Sequence, residues 1–362
     1  PMAKAVPATP AATTGNAAFR PWRDSAFSQT FAAALPSVAC ALAMVCRLKH
    51  PGARAQGFLT IVGCENSRAA TNRGALVAVR ARRQSPPVLI ARTLPDLRNA
   101  CARLRAGGRA LALVPTMGAL HAGHLALLAG APDDSAVAAS IFVNPLQFGP
   151  NEDLSRYPSD EAGDLAKLEA AGCALVWLPG VATMYPPDTA TTIEVAGPAE
   201  RWEGAVRPGH FRGVATVVAR LFGQVQPDSA CFGEKDWQQL QVVTRMVADL
   251  PLPVRIIGVP TVREPDGLAM SSRNRFLSAA DRARAPTLLR VLQETAARVG
   301  MGVEAALEDA REALEDSGFA VDYVALVDGP SLAPLDTPRA GARLIAAARL
   351  GAVRLLDNIA LL

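Results

Sequence analysis

The chain has 362 residues, half of them hydrophobic and 19% charged, with a formal net charge of +4. This is enough apolar material for two domains with real cores, and it excludes a chain disordered throughout. Of the 37 basic and 33 acidic residues, 11 and two precede Val88, and the mildly acidic remainder argues against a nucleic-acid-binding surface.

Residues 1–86 are rich in Ala, Pro, Thr and Arg and lack a helical or strand period. They read as an N-terminal extension, disordered or non-native, with a targeting segment as the minor alternative. From Val88 the texture changes. Val88 to Ala91 reads as a short strand, Leu94 to Arg105 as an amphipathic helix ended by Gly107-Gly108, and Ala110 to Val114 as a second strand. A helix beginning at His124 is cut short by Gly130 and Pro132, and Val137 to Val143 is another strand. Helix 160–171, strand 174–178, helix 213–225, strand 229–232, helix 237–249 and strand 253–259 follow. The alternation predicts an α/β fold, a parallel sheet covered on both faces. After residue 260 the pattern changes to helices 279–299 and 303–317 and then strands 321–327, 342–348 and 354–356. This predicts a smaller C-terminal α+β domain over 261–362, beside a sheet domain over 87–260.

Six cysteines at 40, 46, 64, 101, 173 and 231 form no CxxC pair and no zinc-like cluster. They read as reduced thiols in a reducing, cytoplasmic setting. No apolar run is long enough to span a bilayer, so no membrane partner is expected.

The strongest chemical signal is VPTMGALHAGH, Val114 to His124, between a strand and a helix. An α/β sheet binds ligands at that edge, and a helix N-terminus offers unpaired N–H groups to anions. Gly118 and Gly123 permit close backbone approach to a phosphate, and His121 and His124 can donate to its oxygens. Capping or packing histidines are the bland alternative and metal ligation is a weaker one; the HxGH pair in a Gly-rich turn favours a nucleotide. CFGEKDWQQL, Cys231 to Leu240, offers Lys235 to phosphates, Gln239 to a small hydroxylated acid, and Asp236 as a helix cap. A solvated helix start is an equal reading of that segment alone. In DGLAMSSRNRFL, Asp266 to Leu277, Ser271, Ser272 and Arg273 can hold phosphate oxygens, or else cap a turn beside a surface Arg. In Ser140 to Pro158, Gln147 can reach a substrate, Asn144 can orient the pocket, and Tyr157 is either part of a lid or a buried aromatic. Trp202 to Val214 adds Arg207, His210 and Arg212 at a pocket or an interface.

Taken together, VPTMGALHAGH, SIFVNPLQF, RPGHFRGV, FGEKDWQQL and MSSRN resemble the pantothenate synthetase family, from about Val88 to Leu361. HxGH alone is shared more widely among nucleotidyltransferases. The resemblance implies a Rossmann-like ATP-binding domain, a C-terminal lid and a homodimer. It also implies a Mg²⁺-dependent ligation of pantoate to β-alanine through pantoyl-adenylate, yielding AMP and diphosphate. By motif position the ATP site comprises Met117, Gly118, Ala119, Leu120, His121, Ala122, Gly123 and His124. Gly233, Glu234, Lys235 and Asp236, then Val262, Met270, Ser271, Ser272 and Arg273, complete it. His124, matching the family's proton donor, stands with His121, Lys235 and Arg273 as the catalytic set, and Gln147 and Gln239 match the pantoate contacts, Gln147 also beside β-alanine. No protein metal ligand is expected: Mg²⁺ arrives with ATP, and Asp164 is left outside the expected site. The extension and the short helix after HxGH depart from the family pattern. A rival within the class is an HxGH enzyme that transfers AMP to a phosphate ester and stops.

Overall fold

The computed structural model describes residues 87–150 and 154–361. The expectation for residues 1–86 lies outside the described residues.

The first half alternates as the sequence predicts. Strand β1 (Leu89–Ala91) leads to α1 (Leu94–Ala106), whose first turn is capped by Thr93 accepting from the Asp96 N–H. Then come β2 (Leu111–Thr116), α2 (Ala122–Ala129), β3 (Ala136–Ile141), α3 (Glu161–Ala170) and β4 (Leu175–Trp177). Two one-turn helices, α4 (Val181–Met184) and α5 (Glu203–Val206), precede α6 (His210–Val225), β5 (Ser229–Gly233), α7 (Trp237–Asp249) and β6 (Arg255–Val259).

The six strands pair in parallel, in the order β1-β4-β3-β2-β5-β6. The chain builds outward from β2 through β3 and β4, then crosses back to lay β5 on the other side of β2. The reversal point of the sheet therefore lies between β2 and β5, and their carboxyl ends open a crevice there. Buried residues of α1, α6 and α7 cover one face of the sheet, while Leu120, Leu128 and Leu168 from the α2 and α3 region cover the other.

After β6 the chain forms α8 (Ala279–Arg284), α9 (Thr287–Arg298), α10 (Val303–Asp316) and an antiparallel sheet of β7 (Phe319–Asp328), β8 (Ala342–Leu350) and β9 (Val353–Ala360). The single helix expected over 279–299 is two helices, because Pro286 has no N–H to give the preceding turn. This part has its own core, centred on Leu288, Leu292, Leu314, Leu326 and Leu344. A bulge between Val321 and Tyr323 shifts the register of β7 against β8.

Candidate active site

A cavity of about 730 Å³ opens at the carboxyl ends of β2 and β5. Its lining includes Met117, His121, Gly123 and His124 from the turn after β2, and Gly233, Lys235, Asp236 and Gln239 around the start of α7. Gln147, Val262 and Met270 to Arg273 also line it. Five residues expected at the site do not face this cavity: Gly118, Ala119, Leu120, Ala122 and Glu234.

Both histidines cap α2, and the capping serves the site rather than competing with it. His121 Nδ1 accepts from the Gly123 N–H at 3.1 Å, and His124 Nδ1 accepts from the His121 N–H at 3.3 Å. Backbone N–H groups can only donate, so each Nδ1 is an acceptor and each Nε2 is the remaining donor of a neutral ring. Burial pushes the His121 pKa down to about 4, with help from the nearby Lys235 charge. Burial pushes His124 down to about 3, helped by His121, Lys235 and Lys167. Near neutral pH the pair therefore offers directed N–H donors rather than two positive charges. The ring centroids lie 4.1 Å apart. Gly123 is needed for a local reason: a Cβ there would come within 2.9 Å of the His121 ring.

Gln147 ends a one-turn helix over Pro145–Gln147 that Asn144 organises. Asn144 Oδ1 accepts from the Leu146 N–H and the Tyr185 hydroxyl, and its Nδ2 donates to Gln147 Oε1 and the Gly213 carbonyl. The Gln147 carbonyl is held by His210 Nδ1 at 2.8 Å, and Arg207 reaches it at 3.4 Å. Asn144 thus ties the Pro145–Gln147 turn to α6 and to Tyr185. Tyr157 lies edge-on to Phe148, with its hydroxyl 3.4 Å from Ser272 Oγ.

Adjacent glutamines divide their tasks. Buried Gln238 donates to the Pro198 and Arg201 carbonyls and accepts from the Glu203 N–H. Gln239, one position on, is half-buried, and both side chains line the cavity. Asp236 stands at the N-cap of α7 but makes no side-chain cap bond, against the sequence expectation; its carboxylate lies 3.8 Å from Lys235 Nζ instead.

Lys235 and the Met270–Arg273 segment are placed partly by the C-terminal sheet. Asn358 of β9 donates to the Glu234 and Lys235 carbonyls, both at 2.9 Å. Its neighbour Asp357 accepts two bonds from Arg263, at 2.6 and 2.9 Å, and Arg263 also donates to the Gly267 carbonyl. Asn274 Nδ2 ties the segment to the Ala269 carbonyl, and Ser271 Oγ accepts from the Arg273 N–H. Further along the joint, Glu203 accepts two bonds from Arg354 and one each from Arg207 and Tyr323. Burial raises the Glu203 pKa, but Arg354 and Arg207 outweigh it and keep the carboxylate ionised. Nothing in the local sequence marks the Glu203–Arg354 pair or the bonds from Asn358 to Glu234 and Lys235, because each joins residues more than a hundred positions apart.

No group of three His, Cys, Asp or Glu among the described residues is arranged to hold a metal ion. No helix among them is long and apolar enough to cross a membrane.

The sequence model described as pantoate-β-alanine ligase matches residues 89–360. The chain belongs to that family. It is 63% identical over 275 residues to the pantothenate synthetase of Acidiphilium cryptum, covering 75% of this chain and 99% of the relative. The Granulibacter bethesdensis pantothenate synthetase is 58% identical over 275 residues, with 75% and 96% covered. Among solved structures, the Thermus thermophilus pantothenate synthetase superposes with a TM-score of 0.71 at 52% identity, covering 75% of this chain and 99% of that one. The Francisella tularensis pantoate-β-alanine ligase, complexed with beta-gamma ATP and β-alanine, gives 0.64 at 30% identity, with 75% and 97% covered.

Proposed function

We infer that the chain ligates pantoate to β-alanine at the expense of ATP, through pantoyl-adenylate, releasing AMP and diphosphate. The observation that carries this is the grouping of two neutral histidine donors, Lys235 and Arg273 on one cavity with the amides of Gln147 and Gln239. The family membership and the β-alanine and nucleotide in the Francisella complex support the same reading.

A carboxylate is a poor acyl donor, so the pantoate carboxylate oxygen attacks the α-phosphorus of ATP and diphosphate leaves. The β-alanine amine then attacks the activated carbonyl and AMP leaves. Such phosphoryl chemistry needs position and charge stabilisation more than covalent help. His121 and His124 donate Nε2–H to phosphate oxygens, His124 toward the leaving diphosphate, while Lys235 and Arg273 carry the positive charge. Gln147 and Gln239 hold the hydroxyl and carboxylate groups of pantoate. Phe142, Val214, Val217, Val218 and Leu221 give the cavity an apolar wall suited to pantoate's paired methyl groups. Among the described residues no group of three His, Cys, Asp or Glu is arranged to hold Mg²⁺, and the reading has the ion arrive with ATP, bound by phosphate oxygens and water as is common for it. Bound there, Mg²⁺ would neutralise phosphate charge.

The reading takes residues 87–260 as the nucleotide- and pantoate-binding domain and 261–362 as a lid that limits hydrolysis of the adenylate. It extends to a homodimer on the strength of the family resemblance, and to a reducing, cytoplasmic setting supported by the buried thiols of Cys101 and Cys231. Mixing the full chain with ATP, pantoate and β-alanine tests it: pantothenate and AMP should form only with both acids present. Formation of ADP, or equal AMP release without β-alanine, would overturn it.

A further inference from the structure

The turn that carries the histidines is held from behind by a residue absent from the expected site. Asp164 of α3 is 1% exposed. Its Oδ2 accepts from the Ala119 N–H at 2.7 Å and its Oδ1 from the Leu120 N–H at 2.8 Å. Lys167, one turn further along α3, donates to the Leu120 carbonyl at 3.0 Å and lies 3.4 Å from Asp164 Oδ1. Leu120, immediately before His121, is thus clamped at both its N–H and its C=O.

The clamp explains two features of the motif. Gly118 has a φ of +87°, and a Cβ there would meet Asp164 Oδ2 at 3.1 Å and Ile141 at 3.2 Å. Ala119 follows in the left-handed region at φ +51°, a costly conformation for a residue with a Cβ, held by the bond from its own N–H to the carboxylate. The backbone donors of Ala119 and Leu120 are therefore spent on Asp164 and do not serve a phosphate directly. Their contribution passes through the direction in which His121 leaves the turn.

We propose that Asp164 is a positioning residue for catalysis: it fixes the Gly118–Leu120 backbone so that the Gly123 and His121 N–H groups lock the tautomers of His121 and His124 and both Nε2–H donors aim into the cavity. A buried carboxylate accepting two consecutive N–H bonds is a stiff support, and transition-state geometry is sensitive to small displacements of donors. Asn is the informative replacement: nearly isosteric, it keeps one oxygen but sets an NH₂ against a backbone N–H.

This inference rests on the reading of the histidine pair as the phosphate site, and its test separates the two. Pantoate-dependent exchange of labelled pyrophosphate into ATP is measured on the full chain, together with the histidine imidazole nitrogen shifts by NMR. For Asp164→Asn the exchange kcat should fall about 10–100-fold, as expected for a misplacement on the order of 1 Å, with the pantoate KM little changed. The His121 and His124 nitrogens should move from a pure Nε2–H pattern toward a mixture. Gly118→Ala strains the same turn from the opposite side, should shift both readouts in the same direction, and carries the test if Asp164→Asn does not fold. Wild-type turnover and unchanged nitrogen shifts in the folded variants would overturn the proposal. So would a raised Mg²⁺ requirement with unchanged shifts, which would assign Asp164 to the cation. If the wild-type chain shows no pantoate-dependent exchange, the functional reading fails, and the nitrogen shifts alone still decide whether Asp164 holds the turn.

Discussion

The two walls of the cavity are built by different means. The wall after β2 is self-contained: His121 and His124 hold each other, and the turn beneath them is bonded to α3. The opposite wall, Val262 to Arg273 with the Lys235 backbone, depends on bonds from the C-terminal sheet, through Asp357 and Asn358. The histidines are therefore set before any substrate arrives, whereas the cations depend on how the C-terminal part sits. A C-terminal part acting as the proposed lid can then open for substrates without disturbing the histidines.

The sharpest way to break this contrast is to remove the central donor. His124→Ala should lower pantoyl-adenylate formation by about 10²–10³-fold, the usual cost of one preorganised donor, with the fold retained. Near wild-type adenylate formation in rapid-quench assays would show that the pre-set wall is not the catalytic one.

The joint should behave differently. Glu203→Ala leaves Arg354 and Arg207 facing each other in a buried site, and breaking such a pair costs about 3–5 kcal/mol. Chemical denaturation should show that loss, and the ATP KM should rise while the histidine nitrogen shifts stay as in the wild type. A shift in those nitrogens would mean that the two walls are coupled after all.

The adjacent glutamines give a finer cut. Gln238→Ala removes three buried hydrogen bonds and should cost about 1–3 kcal/mol of stability. Gln239→Ala should stay within about 0.5 kcal/mol, as for a half-buried side chain lining the cavity, and instead raise the pantoate KM. Equal melting temperatures for the two variants would contradict the division.

The last expected effect is on pH dependence. His121 and His124 titrate lower in the folded protein than the unfolded value near 6.5, so the unfolded chain binds protons first as pH falls. Their contribution to stability is complete above about pH 6.5 and is lost as pH falls toward 4 and 3. A His124→Gln variant should lose less melting temperature than the wild type between neutral and acidic pH. An identical slope would mean that the ring is not buried neutral.

Much of this was legible in the sequence. The parallel sheet followed from alternation, and the strand–turn–helix setting of HxGH from Val114, Gly118 and Gly123. The grouping of HxGH, Gln147, Gly233 to Asp236 and Met270 to Arg273 came from motif order, and these segments do share one cavity. What escaped were residues whose meaning is a tertiary partner. Asp164 looks like any acid in the first turn of a helix until the backbone of Ala119 and Leu120 lies against it. Glu203 and Asn358 join segments far apart in the chain, and no local spacing encodes such a pairing. Gly118 and Gly123 also serve neighbours that the local sequence does not show: one makes room for a carboxylate and the other for an imidazole.

The most direct test of carboxylate activation in this cavity is the exchange of labelled pyrophosphate into ATP with β-alanine left out. If the cavity activates a carboxylate by adenylation, label should enter ATP when pantoate is present and not without it. Exchange that ignores pantoate, or none at all from a folded and ATP-binding chain, would contradict that chemistry.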